Sequence, residues 1–276
     1  MKLKSRFWAD LTWQDFASLN MSPAIDNVVA VLPVAAIEQH GPHLPLSVDQ
    51  TLIDGIVQAS LPLMDVNLPV LILPTQAIGK SNEHERFPGT LSLSAQTIIQ
   101  LWMDIGASVA RAGVKKLLLF NSHGGQVSVM DIVARDLRAK YDLVVYSCSW
   151  SNLPMPKLVD EMFSAEEHRF GIHGGELETS MMLALKSNYV DMTKAQDFKS
   201  SSQERAKALP ILGNGRSAKL GWQMQDYNAL GAAGNATAAT VNKGEALIAG
   251  AAVAFVAMVA ELSALPISVL KDNPSS

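Results

Sequence analysis

Glu38, His40 and Asp49 lie in one stretch, Val34-Ala-Ala-Ile-Glu38-Gln-His40-Gly-Pro-His43-Leu-Pro-Leu-Ser-Val-Asp49. In it an apolar run stops at a carboxylate, an imidazole follows two residues on, and a second carboxylate comes after a Gly-Pro loop. On a strand, positions i and i+2 point to the same side, so Glu38 and His40 are expected to face one ion or two adjacent ions. Gly41 and Pro42 turn the chain sharply enough for Asp49 to return to the same place. Hard oxygen ligands mixed with imidazole suit zinc, manganese or iron(II); calcium takes oxygen alone. A surface turn carrying unrelated polar residues is the competing explanation.

His123 is a second candidate. It directly follows the apolar Leu117-Leu-Leu-Phe-Asn-Ser and precedes Gly124 and Gly125, which let backbone approach a metal or substrate closely. A third cluster is Gly171-Ile-His173-Gly-Gly-Glu176-Leu-Glu178-Thr-Ser180. Glu176 and Glu178 there suit either a ligand role or a favourable interaction with a helix dipole. Summed, Glu38, Asp49 and Glu178 bring three negative charges and His40 and His123 bind as neutral imidazoles. Two divalent cations then leave about +1, which a bridging hydroxide cancels. That is the arrangement a two-metal hydrolase needs, with Asp49 bridging the ions and His173 shuttling a proton to the leaving nitrogen.

Gly79-Lys-Ser81-Asn-Glu83-His84-Glu-Arg-Phe87-Pro-Gly-Thr90 contains a Gly-Lys-Ser tripeptide, but the first glycine of a phosphate loop would fall at Pro74. Ser81, Glu83 and His84 are expected to bind substrate instead, unless the run is an exposed connection. No G-x-S-x-G elbow and no G-x-G-x-x-G after a strand is present. Trp150, at a strand end, and Trp222, in a loop, are expected to wall a pocket.

The elements that must position these residues come from alternating apolar runs. Val28–Ile37, Val70–Pro74, Lys116–Phe120 and Leu143–Trp150 read as strands; Leu52–Leu63, Ser94–Ala112 and Val127–Lys140 read as helices. Strands apolar on both faces imply a parallel sheet covered on each side, with ligands at the strand carboxyl ends. A helix is expected from Gly175 to Leu185 and loops from Lys194 to Gly234, some covering the site. The 276 residues, with no linker-like stretch, read as one domain, 1–276. With 48% hydrophobic and 17% charged residues, a large core is available and a homo-oligomer is expected. The net charge of −4 and the lack of a Lys/Arg stripe argue against nucleic acid. Cys148 is the single cysteine, which excludes an intramolecular disulfide and fits a reducing cytoplasm. The apolar Ala246–Ala260 run, at about 15 residues, falls short of the ~18–20 needed to cross a bilayer, so no membrane partner is expected.

In these motifs the chain resembles the creatininase (creatinine amidohydrolase) family. The matching pieces are Leu11-Thr-Trp13, Glu38 to Leu46 with Asp49, Glu83-His84 with Phe87-Pro-Gly-Thr-Leu-Ser92, and Asn121-Ser-His-Gly-Gly125. His173-Gly-Gly-Glu-Leu-Glu-Thr-Ser180, Gly231-Ala-Ala-Gly-Asn-Ala-Thr237 and Lys243-Gly-Glu245 complete the set. The resemblance implies a three-layer αβα domain with a mostly parallel sheet, commonly hexameric, and a binuclear metal site that hydrolyses a C–N bond of a small substrate. Carried over, Glu38, His40, Asp49 and His123 match metal ligands, and His173 matches the histidine assigned to proton transfer.

One position departs from the pattern. Creatinine-hydrolysing members carry a ligating glutamate two positions after the strand-end histidine, and here that position is Gly125. The chain is therefore expected to fall in a Gly-Gly subgroup rather than with creatininase itself, and either Glu178 completes the second metal's shell or that ion binds weakly. The expected activity is metal-dependent amidohydrolysis of a cyclic amide or formamide-type substrate. Hydrolysis of a cyclic ketone or lactone sugar derivative, peptide trimming and a catalytically silent binding relative are the alternatives.

Overall fold

A strand covered on both faces has no solvent side to keep polar, so the runs that are apolar at nearly every position become the sheet. The computed structural model describes residues 2–271 and 274. Its main sheet contains β1 (Val29–Val34), β2 (Val70–Ile72), β3 (Lys116–Asn121) and β4 (Val144–Ser149), in the order β2-β1-β3-β4 and parallel throughout. Val34 pairs with Asn121 and Asn121 with Ser149, so the carboxyl ends of β1, β3 and β4 share one edge.

Side chains alternate between two cores. Val29, Val31, Leu118 and Phe120 pack on one face with α1 (Val48–Ser60), α4 (Glu176–Lys186) and α5 (Val241–Ala264). Ala30, Leu32, Val34, Leu117 and Leu119 pack on the other with α2 (Ala95–Arg111) and α3 (Val127–Tyr141). The result is the expected three-layer α/β fold with a parallel central sheet. Ser94 starts α2 by accepting the Thr97 N–H, which satisfies one of the donors a helix leaves open at its beginning.

Several expectations need correction. β1 stops at Val34, so Glu38 and His40 lie past the strand rather than on it. They still address one centre because the segment stays tied: Ile37 bridges Leu91, and the Glu38 N–H donates to the Leu46 carbonyl at 3.0 Å. Asp49 does not return on a loop; it occupies the first turn of α1, which begins four residues before the expected Leu52. The 194–234 segment contains helices at Ser201–Ala208 and Met224–Tyr227, and Asp197–Phe198 pairs antiparallel with Gly234–Asn235. The apolar C-terminal helix has 24 residues, so length does not keep it out of a bilayer. Its packing places it instead: Leu247, Ile248, Ala251, Phe255 and Val259 are buried in the core beside α1 and α4.

Candidate metal centre

The parallel register delivers two of the clusters to the same place. The segment after β1 supplies Glu38 and His40, the turn after β3 supplies His123, and α1 and α4 supply Asp49 and Glu178 from their first turns. Glu38, His40, Asp49 and His123 are all buried.

Backbone carbonyls fix the histidine tautomers, because a carbonyl only accepts. His40 Nδ1–H donates to the Glu38 carbonyl at 3.0 Å, so Nε2 is the nitrogen that faces Asp49 Oδ1 at 3.6 Å and Glu178 Oε2 at 3.9 Å and that a cation would take from its proton. His123 Nε2–H donates to the Lys80 carbonyl at 2.9 Å, which leaves Nδ1 facing Glu38 Oε1 at 3.1 Å and Asp49 Oδ2 at 3.6 Å. Asp49 thus presents one oxygen to each imidazole.

Glu38 Oε2, His40 Nε2, Asp49 Oδ2 and Glu83 Oε1 are buried and have no hydrogen-bond partner among the described residues. Leaving buried carboxylate oxygens and an imidazole nitrogen unpartnered is costly unless a cation meets them. Glu38–His40–Asp49, His40–His173–Glu178 and Glu38–Glu83–His123 each bring ligand atoms within 4.8 Å of one another. The donor set therefore fits a binuclear divalent-metal site.

The proton affinities agree. Burial lowers His40, but Asp49, Glu178 and Glu38 outweigh it and raise its pKa to about 9. His123 is likewise raised well above 6.5, with burial opposed by Glu38, Glu83 and Asp49. Burial raises Glu178 to about 7 against the pull of His40. Burial and the Glu38 charge also raise Asp49. Clustered carboxylates thus draw positive charge onto the imidazoles, and a metal cation must displace those protons.

His173 sits between two rings, stacked on His40 at 4.0 Å and on His84 at 4.2 Å between centroids. Its Nε2–H donates to the Gln39 carbonyl at 2.6 Å, and Nδ1 faces Glu38 at 3.8 Å. Burial, with His40 and His84 adding to it, lowers its pKa well below 6.5, so it is neutral with a free Nδ1 at neutral pH.

Glu178 and His173 owe their placement to a tight turn. Gly174 takes φ +60°, and a Cβ there would stand 2.8 Å from the His40 carbonyl oxygen. The Gly174 N–H donates to Glu178 Oε2 at 2.6 Å. Buried Glu167 pins the start of α4 by accepting the Glu176 N–H at 2.6 Å, and holds the Asn235 N–H at 2.8 Å.

A cavity of about 210 Å³ opens onto the centre. Glu38, Asp49, Glu83, His84, His123, Gly124, Gly125, His173 and Glu178 border it, as does Trp222 from the covering loop. Ser81 lies behind, its Oγ 3.4 Å from His123 Nε2. Trp150 is not brought to the cavity: it is 4% exposed and packs in the core under α5. Sequence reading missed Ile172 and Ser122 on the cavity wall and, behind it, Gln39, whose Nε2 bonds His84 Nδ1 and the Gly231 carbonyl, both at 2.8 Å. Gln39 falls between Glu38 and His40, so an inward-facing neighbour on each side was the available signal.

Comparison with known proteins agrees with this geometry. Residues 9–259 match the family model described as Creatininase: Creatinine amidohydrolase. The chain is 31% identical over 222 residues to creatinine amidohydrolase of Pseudomonas putida, covering 75% of this chain and 82% of that protein. It is 28% identical over 224 residues to the mycofactocin precursor peptide peptidase of Mycobacterium ulcerans (strain Agy99), covering 79% of each. A solved creatinine amidohydrolase (creatininase) superposes with a TM-score of 0.74 at 26% identity, covering 94% of this chain and 98% of that one. These matches overturn the expected Gly-Gly subgroup distinct from creatininase: the similarity runs to creatininase itself over nearly its whole length. A physical reason for the misreading is that Gly125 does not leave the site short of a carboxylate, since Glu83 Oε1 fills the space beside it. The chain belongs to the creatininase family.

Proposed function

We propose that this chain is a metal-dependent amidohydrolase that opens a C–N bond of a small cyclic amide, creatinine being the first substrate to try. The observation that carries the reading is Asp49, whose two oxygens face His40 and His123 at 3.6 Å each, as a carboxylate shared by two cations would. His40, Asp49 and Glu178 would hold one ion, and Glu38, Asp49 and His123 the other; zinc is favoured by the ligand set, with manganese or iron(II) also suited to it. Bound there, the ions supply Lewis acidity, which lowers the pKa of water and polarises the substrate carbonyl.

The chain's own groups do the rest. His173 is neutral, and its Nδ1 accepts a proton near Glu38 and returns it to the departing nitrogen. Gln39 holds the His173 and His84 rings in register, and Trp222 and Ile172 give the cavity apolar walls. The cavity is smaller than the ~300–1,000 Å³ of drug-sized sites, which favours a compact substrate over a folded peptide segment. Binding of such a substrate by a cytoplasmic homo-oligomer, a hexamer as in the family, completes the proposal.

Hydrolysis of creatinine, other cyclic amides, formamides and lactones, each before and after chelation, tests this reading. Turnover of a C–N substrate that stops on chelation and returns with zinc or manganese is expected. Full activity after exhaustive chelation, or cleavage confined to the lactones, would refute it.

A further inference from the structure

Gln39 settles which nitrogen of His84 carries the proton. Its amide is oriented by two backbone groups of opposite kind: Oε1 accepts the Gly41 N–H at 2.9 Å, and Nε2 donates to the Gly231 carbonyl at 2.8 Å. Turning the amide over would set oxygen against oxygen and N–H against N–H. The second hydrogen of Nε2 goes to His84 Nδ1 at 2.8 Å. It does not go to His173 Nε2, 3.4 Å away, because that nitrogen itself donates to the Gln39 carbonyl. An Nδ1 that accepts from an amide carries no proton, so His84 is a neutral imidazole with its hydrogen on Nε2.

Among the described residues that hydrogen has no close acceptor. Nε2 lies 3.5 Å from Glu38 Oε1, longer than the ~2.7–3.2 Å of an N–H···O hydrogen bond, and the same oxygen is nearer to His123 Nδ1, at 3.1 Å. His84 borders the cavity, where its ring is stacked on His173 at 4.2 Å between centroids and met edge-on by Trp222 at 6.2 Å. Its backbone is held too: the His84 N–H donates to the Ser81 carbonyl and the Phe87 N–H to the His84 carbonyl, both at 3.0 Å. Glu38, His84 and His173 bring ligand atoms within 4.8 Å of one another, so distance alone would admit a cation among them. A protonated Nε2 offers that cation no lone pair.

Resting on the amide reading above, we propose that His84 is a catalytic hydrogen-bond donor whose Nε2–H meets the carbonyl oxygen of the scissile C–N bond as that oxygen gains charge, and that Gln39 sets this role by fixing the tautomer. A neutral imidazole polarises a carbonyl without adding a charge to a cluster that must also hold cations. The two stacked histidines then divide the work. His173, with Nδ1 free, takes a proton, and His84, with Nε2–H, gives only a hydrogen bond.

Neutron diffraction from deuterium-exchanged crystals of the zinc-loaded wild type locates the hydrogen directly. Deuterium is expected on His84 Nε2, with Nδ1 bare and no zinc bonded to the ring; deuterium on Nδ1, or zinc on Nε2, overturns the proposal. His84→Phe keeps a ring to stack on His173 and removes the donor. Its kcat should fall by ~10²–10³, the cost of losing one such donor, with KM little changed and both cations still counted by elemental analysis. If His84 only steers Glu38, the variant instead loses ~10–100-fold in zinc affinity, measured against a chromophoric chelator. That loss, or an unchanged kcat, overturns the proposal. A wild type that hydrolyses no amide removes the underlying reading and the proposal with it, whereas the other outcomes remove the proposal alone.

Discussion

Stripping and reloading the metal centre across pH should expose the protons that the metal displaces. Without cations, His40 titrates at about 9, His123 well above 6.5 and Glu178 at about 7. At pH 7 His40 is then ~99% protonated and Glu178 about half. Ligation needs them deprotonated, so cation uptake at pH 7 should release more than one proton per chain, and affinity should rise with pH until His40 is deprotonated near 9. Stability moves the other way in the stripped protein. A pKa raised from 6.5 to about 9 is worth about 3 kcal/mol, and because it is raised, that stabilisation is complete below pH ~6.5 and lost as pH climbs through about 9. The gap in Tm between loaded and stripped protein should therefore widen across that window. Calorimetric titration in buffers of different ionisation enthalpy counts the protons. Release of fewer than ~0.5 protons per chain at pH 7, or a Tm gap that narrows as pH rises, would refute the charge assignment.

Asp49→Ala removes the carboxylate that faces both imidazoles; turnover and tight binding of both cations should be lost together, as elemental analysis and activity assays will register. His173→Asn should lower kcat by ~10²–10⁴ while both cations stay bound, since the ring acts on a proton; loss of metal in this variant would make His173 a ligand instead. Gly244→Ala probes the scaffold: its Cβ would stand 1.9 Å from the Ser180 carbonyl oxygen and push α5 off α4. Overpacking of this kind costs about 1–3 kcal/mol, or a Tm lower by roughly 2–12 °C, and an unchanged melting curve would contradict the close helix approach.

What was legible in the sequence was what obeys a short period or follows a strand directly. β1 and β3 are apolar at successive positions, so a doubly covered parallel sheet could be read from them, and the polar residues just beyond their ends had one edge to share. Glu38, His40 and His123 were found this way. Asp49 was found by type but misplaced, because a helix beginning at Val48 has a first turn too polar to stand out from the loop before it. The short helix at Ser201–Ala208 buries none of its residues, so it left no apolar stripe to read. The 24-residue α5 was cut short because Lys243 and Glu245, near its capped start at Thr240, look like a boundary when only apolar content is followed. Most instructive is Gly125, read as a missing ligand. A glycine reports only that a side chain is absent; that Glu83, 42 positions away in the chain, lies in the same space depends on the path of an aperiodic loop.

Anomalous diffraction from crystals grown with manganese or zinc measures the binuclear centre most directly. Two peaks per chain are expected, both within bonding reach of Asp49, one beside His40 and Glu178 and the other beside Glu38 and His123. A single peak, or density away from Asp49 with these side chains turned elsewhere, would contradict the account.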